Sequence, residues 1–277
     1  MVAALLIAFR EGLEAALIVG IVLSFLNKIG QRRYRVYAWA GVAAAVLASV
    51  GLAVVIQVVG AELEGAAEQI FEGTAMLLAV AVLTWMIFWM RYQAKTFKSS
   101  LEHEIQDAVQ SNRKWGLVAV SFLAVFREGV ETALFLSAAA FATDALSTLV
   151  GTALGLGLAV GVGYLIYAST VRLNLQQFFN VTSLLLLVFA AGLFAHGVHE
   201  FQEAGIIPVI IEHVWNVNPV LDEDSTVGQI LKTLVGYNGN PSLLEVLSYL
   251  GYWVFIVFGI RMWVDRKAAS TVIPASA

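Results

Sequence analysis

Residues 7–17 read IAFREGLEAAL and residues 124–134 read AVFREGVETAL, so Phe9, Arg10, Glu11, Gly12, Glu14, Ala16 and Leu17 return as Phe126, Arg127, Glu128, Gly129, Glu131, Ala133 and Leu134. Both copies interrupt runs of Leu, Ile, Val and Ala with two carboxylates and one guanidinium. The chain around them is 60% hydrophobic and only 13% charged, with a mean hydropathy of +0.82. A soluble domain is roughly half apolar and a quarter charged, so this composition defines an integral membrane protein.

A helix needs roughly 20 apolar residues to cross a hydrocarbon core of about 30 Å. On that measure seven spans are expected, at 2–27, 36–59, 69–91, 115–142, 147–168, 177–203 and 243–264. The first run is not a signal peptide: it lacks a basic leading region, and Arg10, Glu11 and Glu14 break what would be its apolar core. Between spans three and four, Leu101, Ile105, Ala108 and Val109 fall near one helical face among charged neighbours, which predicts a short amphipathic helix on the membrane surface. A small polar tail, 268–277, is expected to be disordered.

The loops differ in charge. Lys28, Arg32, Arg33 and Arg35 follow span one, Arg91, Lys95, Lys98, Arg113 and Lys114 follow span three, Arg172 follows span five, and Arg261, Arg266 and Lys267 close span seven. The opposite loops carry Glu62, Glu64, Glu68, Asp144, Asp222, Glu223 and Asp224. Basic loops stay in the cytoplasm, which puts the N-terminus outside and the C-terminus inside.

The duplicated motif lies in spans one and four, and a weaker echo links Gln69-Ile70-Phe71-Glu72-Gly73-Thr74 in span three to Gln177-Phe178-Phe179-Asn180-Val181-Thr182 in span six. Span one runs inward and span four outward. The fold expected is therefore all-α, a 3+3 inverted repeat, residues 1–92 and 115–204, followed by an outer loop 206–242 and a C-terminal seventh helix at 243–264. Inverted repeats hold their substrate site between the halves near the midplane. Glu11 lies about ten residues, or roughly 15 Å, from the outer end of its helix, about half the core.

At 100° per residue Arg10, Glu11 and Glu14 project from one stripe, as do Arg127, Glu128 and Glu131. Gly12 and Gly129 remove side chains beside those stripes, so the two motif helices are expected to approach each other there. Four carboxylates against two guanidinium groups leave two surplus negative charges, where one ionised side chain costs about 2.5–3.5 kcal/mol or more. The structural alternative is that each Arg neutralises one Glu and the second Glu stays protonated. Two symmetry-related copies at matched depth favour a bound hard cation, which carboxylate oxygens suit. The chain has no cysteine, so thiolate metal sites, disulfides and haem attachment are excluded.

At these residues the chain resembles the oxidase-dependent iron transporter family, which includes bacterial ferrous-iron permeases and fungal high-affinity iron permeases and is marked by Arg-Glu-x-x-Glu in spans one and four. The Phe-Glu-Gly at 71–73 and the Gly-Tyr-Asn-Gly-Asn-Pro at 236–241 extend the likeness over nearly the whole chain. The resemblance implies a transporter of the cytoplasmic (inner) membrane, not an enzyme. It implies iron passage through Glu11, Glu14, Glu128 and Glu131 with Arg10 and Arg127 as partners. No cofactor is held permanently, and iron is the transported substrate. The implied partners are the lipid bilayer, a cupredoxin-like extracytoplasmic iron-binding protein and a haem peroxidase, with no nucleic acid; some family members move lead instead.

Outside the motif, His196, His199, Glu200 and Glu203 end span six, and His196, His199 and Glu203 share one stripe that could receive a metal. Glu68 and Glu72 add a carboxylate pair at the outer start of span three. The competing reading is that boundary residues of these types simply face water. His213, beside Trp215, reads as an interfacial residue. His199-Glu200-Phe201-Gln202-Glu203 approaches the zinc-protease HExxH but has Glu in place of the second His, which leaves an intramembrane metallohydrolase as a minor alternative.

Overall fold

The computed structural model describes residues 1–93, 97–111, 113–143, 145–168, 175–223 and 225–271. Lys95, Asp144, Arg172 and Asp224, which carry part of the charge asymmetry, lie outside the described residues. Among those described there are only helices and loops, with α1 at Val2–Lys28, α2 at Arg35–Glu62, α3 at Ala66–Gln93, α4 at Phe97–Gln110 and α5 at Lys114–Phe141. The second half continues with α6 at Ala145–Ala168, α7 at Leu175–Glu203, α8 at Thr226–Val235 and α9 at Leu243–Thr271. A single turn of 3₁₀-helix at Arg32–Tyr34 joins α1 to α2.

Four of these helices, α2, α3, α6 and α7, are long and apolar enough to cross a membrane, and α9 has a shorter apolar stretch at Leu243–Gly259. The helices α1 and α5 are as long, but the motif charges lie within them. Val46, Leu47, Val50 and Val54 of α2, Leu149, Leu154, Leu158 and Val160 of α6, and Val254, Phe255 and Phe258 of α9 are exposed. Apolar rows of that extent suit contact with lipid.

Two buried apolar clusters organise the interior. One takes Ala3 and Ile7 from α1 and Phe135, Ala138 and Ala139 from α5, packed with Met76, Leu83 and Met86 of α3, Leu186 and Ala190 of α7, and Tyr252 and Ile256 of α9. The other takes Ile18, Val22 and Leu26 from α1 and Leu117 and Val125 from α5, packed with Ala38 and Ala45 of α2 and Leu101 and Ile105 of α4. Both motifs therefore lie between the clusters, where α1 and α5 pass from one to the other. The amphipathic pattern at 97–110 folds as read: Leu101, Ile105 and Ala108 are buried, and His103, Glu104 and Asp107 face out.

The helices pair in a crossed arrangement, α1 along α6, α2 along α5 and α3 along α7, with α1 also against α5. This corrects the expected role of the motif glycines. A Cβ on Gly12 would stand 2.9 Å from Ala159 Cβ on α6, and one on Gly129 would stand 2.6 Å from Ser49 Cβ on α2 and meet its Oγ. The glycines seat α1 and α5 against helices of the other half, not against each other. Close approach needs hydrogen in place of a side chain, as small residues provide in apolar surroundings.

Over one end of the bundle, residues 206–223 and 225–242 form irregular stretches and α8. Ser225 caps α8 by accepting a hydrogen bond from the Gly228 amide (3.0 Å), and Gly236 ends it in the left-handed conformation at φ 67°. At the far end α9 continues to Thr271, four residues into the stretch read as a tail; residues 272–277 lie outside the described residues.

Candidate metal-ion site

The stripe predicted on α1 is buried to its tip. Arg10 and Glu11 are each 0% exposed, and Glu14 is 9% exposed. The Arg10 guanidinium donates from Nη1 to Glu11 Oε1 at 2.8 Å, and its Nη2 lies 3.1 Å from Glu14 Oε1. The same two nitrogens reach α3, Nη1 to Met86 Sδ at 3.5 Å and Nη2 to Met90 Sδ at 3.1 Å.

On α5 the equivalent arginine is placed differently. The Arg127 side chain is 36% exposed, its Nε donates to Glu131 Oε1 at 3.1 Å, and Glu128 Oε1 stands off at 3.9 Å. Its guanidinium lies over the Trp89 ring of α3, 3.9 Å from the centroid. Sequence alone makes the two arginines equivalent. The packing of α3 makes them unequal.

Carboxylate oxygens of Glu11, Glu128 and Glu131 all lie within 4.8 Å of one another, the one such acidic or histidine group of three among the described residues. Each of the three also has a buried Oε2 without a hydrogen-bond partner. The fourth predicted residue, Glu14, falls outside that group, although it is near enough to Glu131 and Arg127 to interact electrostatically. Buried carboxylates gathered this closely, each with one oxygen lacking a donor, carry a desolvation cost that a bound cation would offset. Oxygen donors alone suit hard or borderline cations.

The residues at the end of α7 assemble in pairs. His196 Nε2 lies 3.6 Å from Glu200 Oε1, and His199 Nε2 lies 3.1 Å from Glu203 Oε1, with the two rings stacked 5.9 Å apart. The expected grouping of His196, His199 and Glu203 as joint ligands is not what forms. Glu203 Oε2 instead accepts from Gln69 Nε2 at 3.1 Å, tying α7 to the start of α3, while Glu68 is exposed and Glu72 half-buried nearby in sequence.

A residue that sequence reading missed completes this end. Glu245 Oε1 lies 3.6 Å from His199 Nδ1 and accepts from Asn238 Nδ2 at 2.9 Å; its Oε2 accepts from the Ser242 amide at 2.6 Å. Ser242 Oγ accepts in return from the Glu245 amide at 3.3 Å, a reciprocal capping box at the start of α9. The signal was present as Ser242-Leu-Leu-Glu245 before an apolar run. His196, His199, Asn238 and Glu245 line a cavity of about 730 Å³ that also takes in Glu223, Lys232 and His213. His213, read as interfacial, is exposed and also lines this cavity.

A bundle of long apolar helices with buried, converging carboxylates at mid-length is a multi-pass α-helical membrane protein equipped to handle a cation. The chain belongs to the Iron permease FTR1 family, whose model matches residues 1–268. It is 38% identical over 275 residues to the ferrous iron permease EfeU of Yersinia pestis, covering 98% of this chain and 96% of that protein. It is likewise 38% identical over 251 residues to the ferrous iron permease EfeU of Escherichia coli O157:H7, covering 90% and 91%. No solved structure matches it. The family is one of transporters, which sets aside the hydrolase reading of His199 to Glu203.

Proposed function

We propose that this protein imports iron across the cytoplasmic membrane, and that the ion passes through a site formed by Glu11, Glu128 and Glu131 with Glu14 beside it. The observation that carries the reading is the convergence of three buried carboxylate oxygens within 4.8 Å, each residue keeping a second oxygen free of hydrogen bonds. An incoming cation supplies the positive charge that two arginines leave short. Arg10 and Arg127 offset part of the negative charge of the empty cluster.

The reading includes seven spans with the N-terminus outside, and an inverted repeat of α1–α3 and α5–α7. Two matched contacts support the repeat. Gly12 meets Ala159 as Gly129 meets Ser49, and the Met1 carbonyl covers Gly151 as the Val118 carbonyl covers Gly41. Gly129 follows Gly12 by 117 residues and Val118 follows Met1 by the same 117, while Ala159 follows Ser49 by 110 and Gly151 follows Gly41 by the same 110. One pseudo-twofold operation relating the halves accounts for both pairs. It places the glutamates at the repeat interface, where rocking of one half against the other would expose them to each side in turn.

The cavity lined by His196, His199 and Glu245 lies on the outer side in this orientation, at the end of α7. Extracytoplasmic donor proteins of the kinds the family resemblance implies would hand iron over there.

The test is influx of radiolabelled iron into proteoliposomes holding the purified chain, comparing wild type with Glu14→Gln and Glu131→Gln at matched insertion. Influx that both substitutions abolish supports the reading. Wild-type influx that both variants retain removes the glutamates from the path, and a competition series against lead and other divalent ions separates iron from its rivals.

A further inference from the structure

Both motif arginines rest on the same short strip of α3, although nothing in the Arg-Glu-Gly-x-Glu pattern refers to that helix. Met86, Trp89 and Met90 are spaced i, i+3 and i+4, which puts them on one helical face. The two thioethers take the Nη atoms of Arg10 at 3.5 and 3.1 Å, and the indole ring takes the guanidinium of Arg127 at 3.9 Å. We propose that Met86, Trp89 and Met90 are positioning residues for the arginine counter-ions, the two thioethers anchoring Arg10 where it bonds Glu11, and Trp89 holding Arg127 on Glu131 and off Glu128. The inference rests on the transport reading above.

The chemistry of the strip fits that task. A guanidinium needs a partner, and a carboxylate is the strongest partner within reach. Were that the only one, Arg127 would close onto both carboxylates of its motif, as Arg10 does at 2.8 and 3.1 Å, and compete with the arriving cation for their oxygens. An aromatic face attracts a guanidinium without an ionised group. A thioether is a weak acceptor that offers little to a hard cation. The strip therefore retains the arginines whether or not the carboxylates are engaged, and it does not itself draw the ion away from them.

The second half of the site shows this division most clearly. Arg127 Nε is bonded to Glu131 but stands 3.9 Å from Glu128 Oε1, beyond a hydrogen bond, while its guanidinium stacks on Trp89. Glu128 keeps a buried Oε2 without a partner. Trp89 keeps Arg127 off Glu128. Without the ring, the half-exposed Arg127 side chain is free to swing onto Glu128 and neutralise it.

The experiment measures ferrous-iron influx into proteoliposomes as a function of iron concentration for wild type, Trp89→Leu, Trp89→Phe, Arg127→Gln and the double variant Arg127→Gln/Trp89→Leu, at matched insertion. The expected result for Trp89→Leu is a rise of about threefold to tenfold in the half-saturating iron concentration with the maximal rate little changed, since the lost contact is of ordinary cation–π strength. Trp89→Phe, which keeps a ring face, restores most of the wild-type value. In the Arg127→Gln background Trp89→Leu has no further effect. A merely structural tryptophan would lower the maximal rate or the folded yield irrespective of Arg127. A half-saturating concentration unmoved by Trp89→Leu, or a rise that persists in the Arg127→Gln background, overturns the positioning role while leaving the transport reading intact. Wild type without influx overturns both.

Discussion

Gly129 on α5 faces Ser49 on α2 so closely that a methyl group has no place between them: a built Cβ would stand 2.6 Å from Ser49 Cβ and meet Ser49 Oγ, which is itself bonded to the Ala45 carbonyl at 2.8 Å. The contact joins the motif helix to the other half of the chain. It fixes where Glu128, the residue before Gly129, and Glu131, two residues after it, point. Gly129→Ala is therefore expected to destabilise by about 1–3 kcal/mol, the usual range for overpacking. The compensating pair Gly129→Ala/Ser49→Gly should recover most of that loss. Thermal unfolding in detergent checks both, and Gly12→Ala with Ala159→Gly provides the matched pair in the other seam, where the expected loss is smaller because Ala159 Cβ stands 2.9 Å away.

The unequal burial of the arginines predicts unequal costs for removing their partners. Arg10 is fully buried, so Glu11→Gln removes the charge of its 2.8 Å partner where water cannot replace it and leaves Glu14, at 3.1 Å, as its one carboxylate. Breaking a buried pair in this way costs about 3–5 kcal/mol. Arg127 is 36% exposed and is not bonded to Glu128, so Glu128→Gln should cost well under half as much stability. Both substitutions should nonetheless cut iron influx by more than about tenfold if each residue supplies a ligand oxygen. Paired measurements of melting temperature and influx separate the two effects; equal stability losses would contradict the asymmetry.

Much of this arrangement was legible before any coordinates, for identifiable physical reasons. Long apolar runs forced helices, the 3.6-residue period exposed α4 through Leu101, Ile105 and Ala108, and the duplicated Arg-Glu-Gly-x-Glu singled out four carboxylates. Three things were not legible. A glycine shows that something comes close but not which helix does, so Gly12 and Gly129 were assigned to the wrong neighbour. Met86, Trp89 and Met90 are apolar residues in an apolar run, and only the arginines set against them give them a role. Glu245 carried a local signal in its capping box, but its contact with His199 joins residues far apart in sequence.

The capping box gives a prediction at the start of α9. Glu245→Ala removes an acceptor for the Ser242 amide and for Asn238 Nδ2, together with the carboxylate nearest His199 Nδ1. Loss of the cap interactions should cost about 1–2 kcal/mol and loosen the first turn of α9. Hydrogen exchange of the amides at 242–246 reads this directly and should rise there while the exchange of α1 and α5 is unchanged. Ser242→Ala, which removes the Oγ cap yet leaves Glu245 beside His199, should show the looser turn alone. If the His199–Glu245 contact shapes the receiving cavity, Glu245→Ala lowers influx at limiting iron and Ser242→Ala does not.

The donor set itself predicts which ions compete. The chain has no cysteine, and the clustered ligand atoms are all carboxylate oxygens. Such a site has no soft donor with which to hold Cu(I), whereas manganese, ferrous iron and lead all accept carboxylate oxygen. The thioethers of Met86 and Met90 do not change this, because the Nη atoms of Arg10 occupy both sulfurs. Iron influx should therefore fall in the presence of excess Mn²⁺ or Pb²⁺ and be little affected by Cu(I) at the same concentration. Replacing Arg10 with Gln would free both thioethers next to Glu11, and the selectivity should shift toward the soft ion. The competition series run on wild type and Arg10→Gln, scored by folded yield as well as influx, checks this; strong Cu(I) inhibition of the wild type would show that sulfur already takes part in the path.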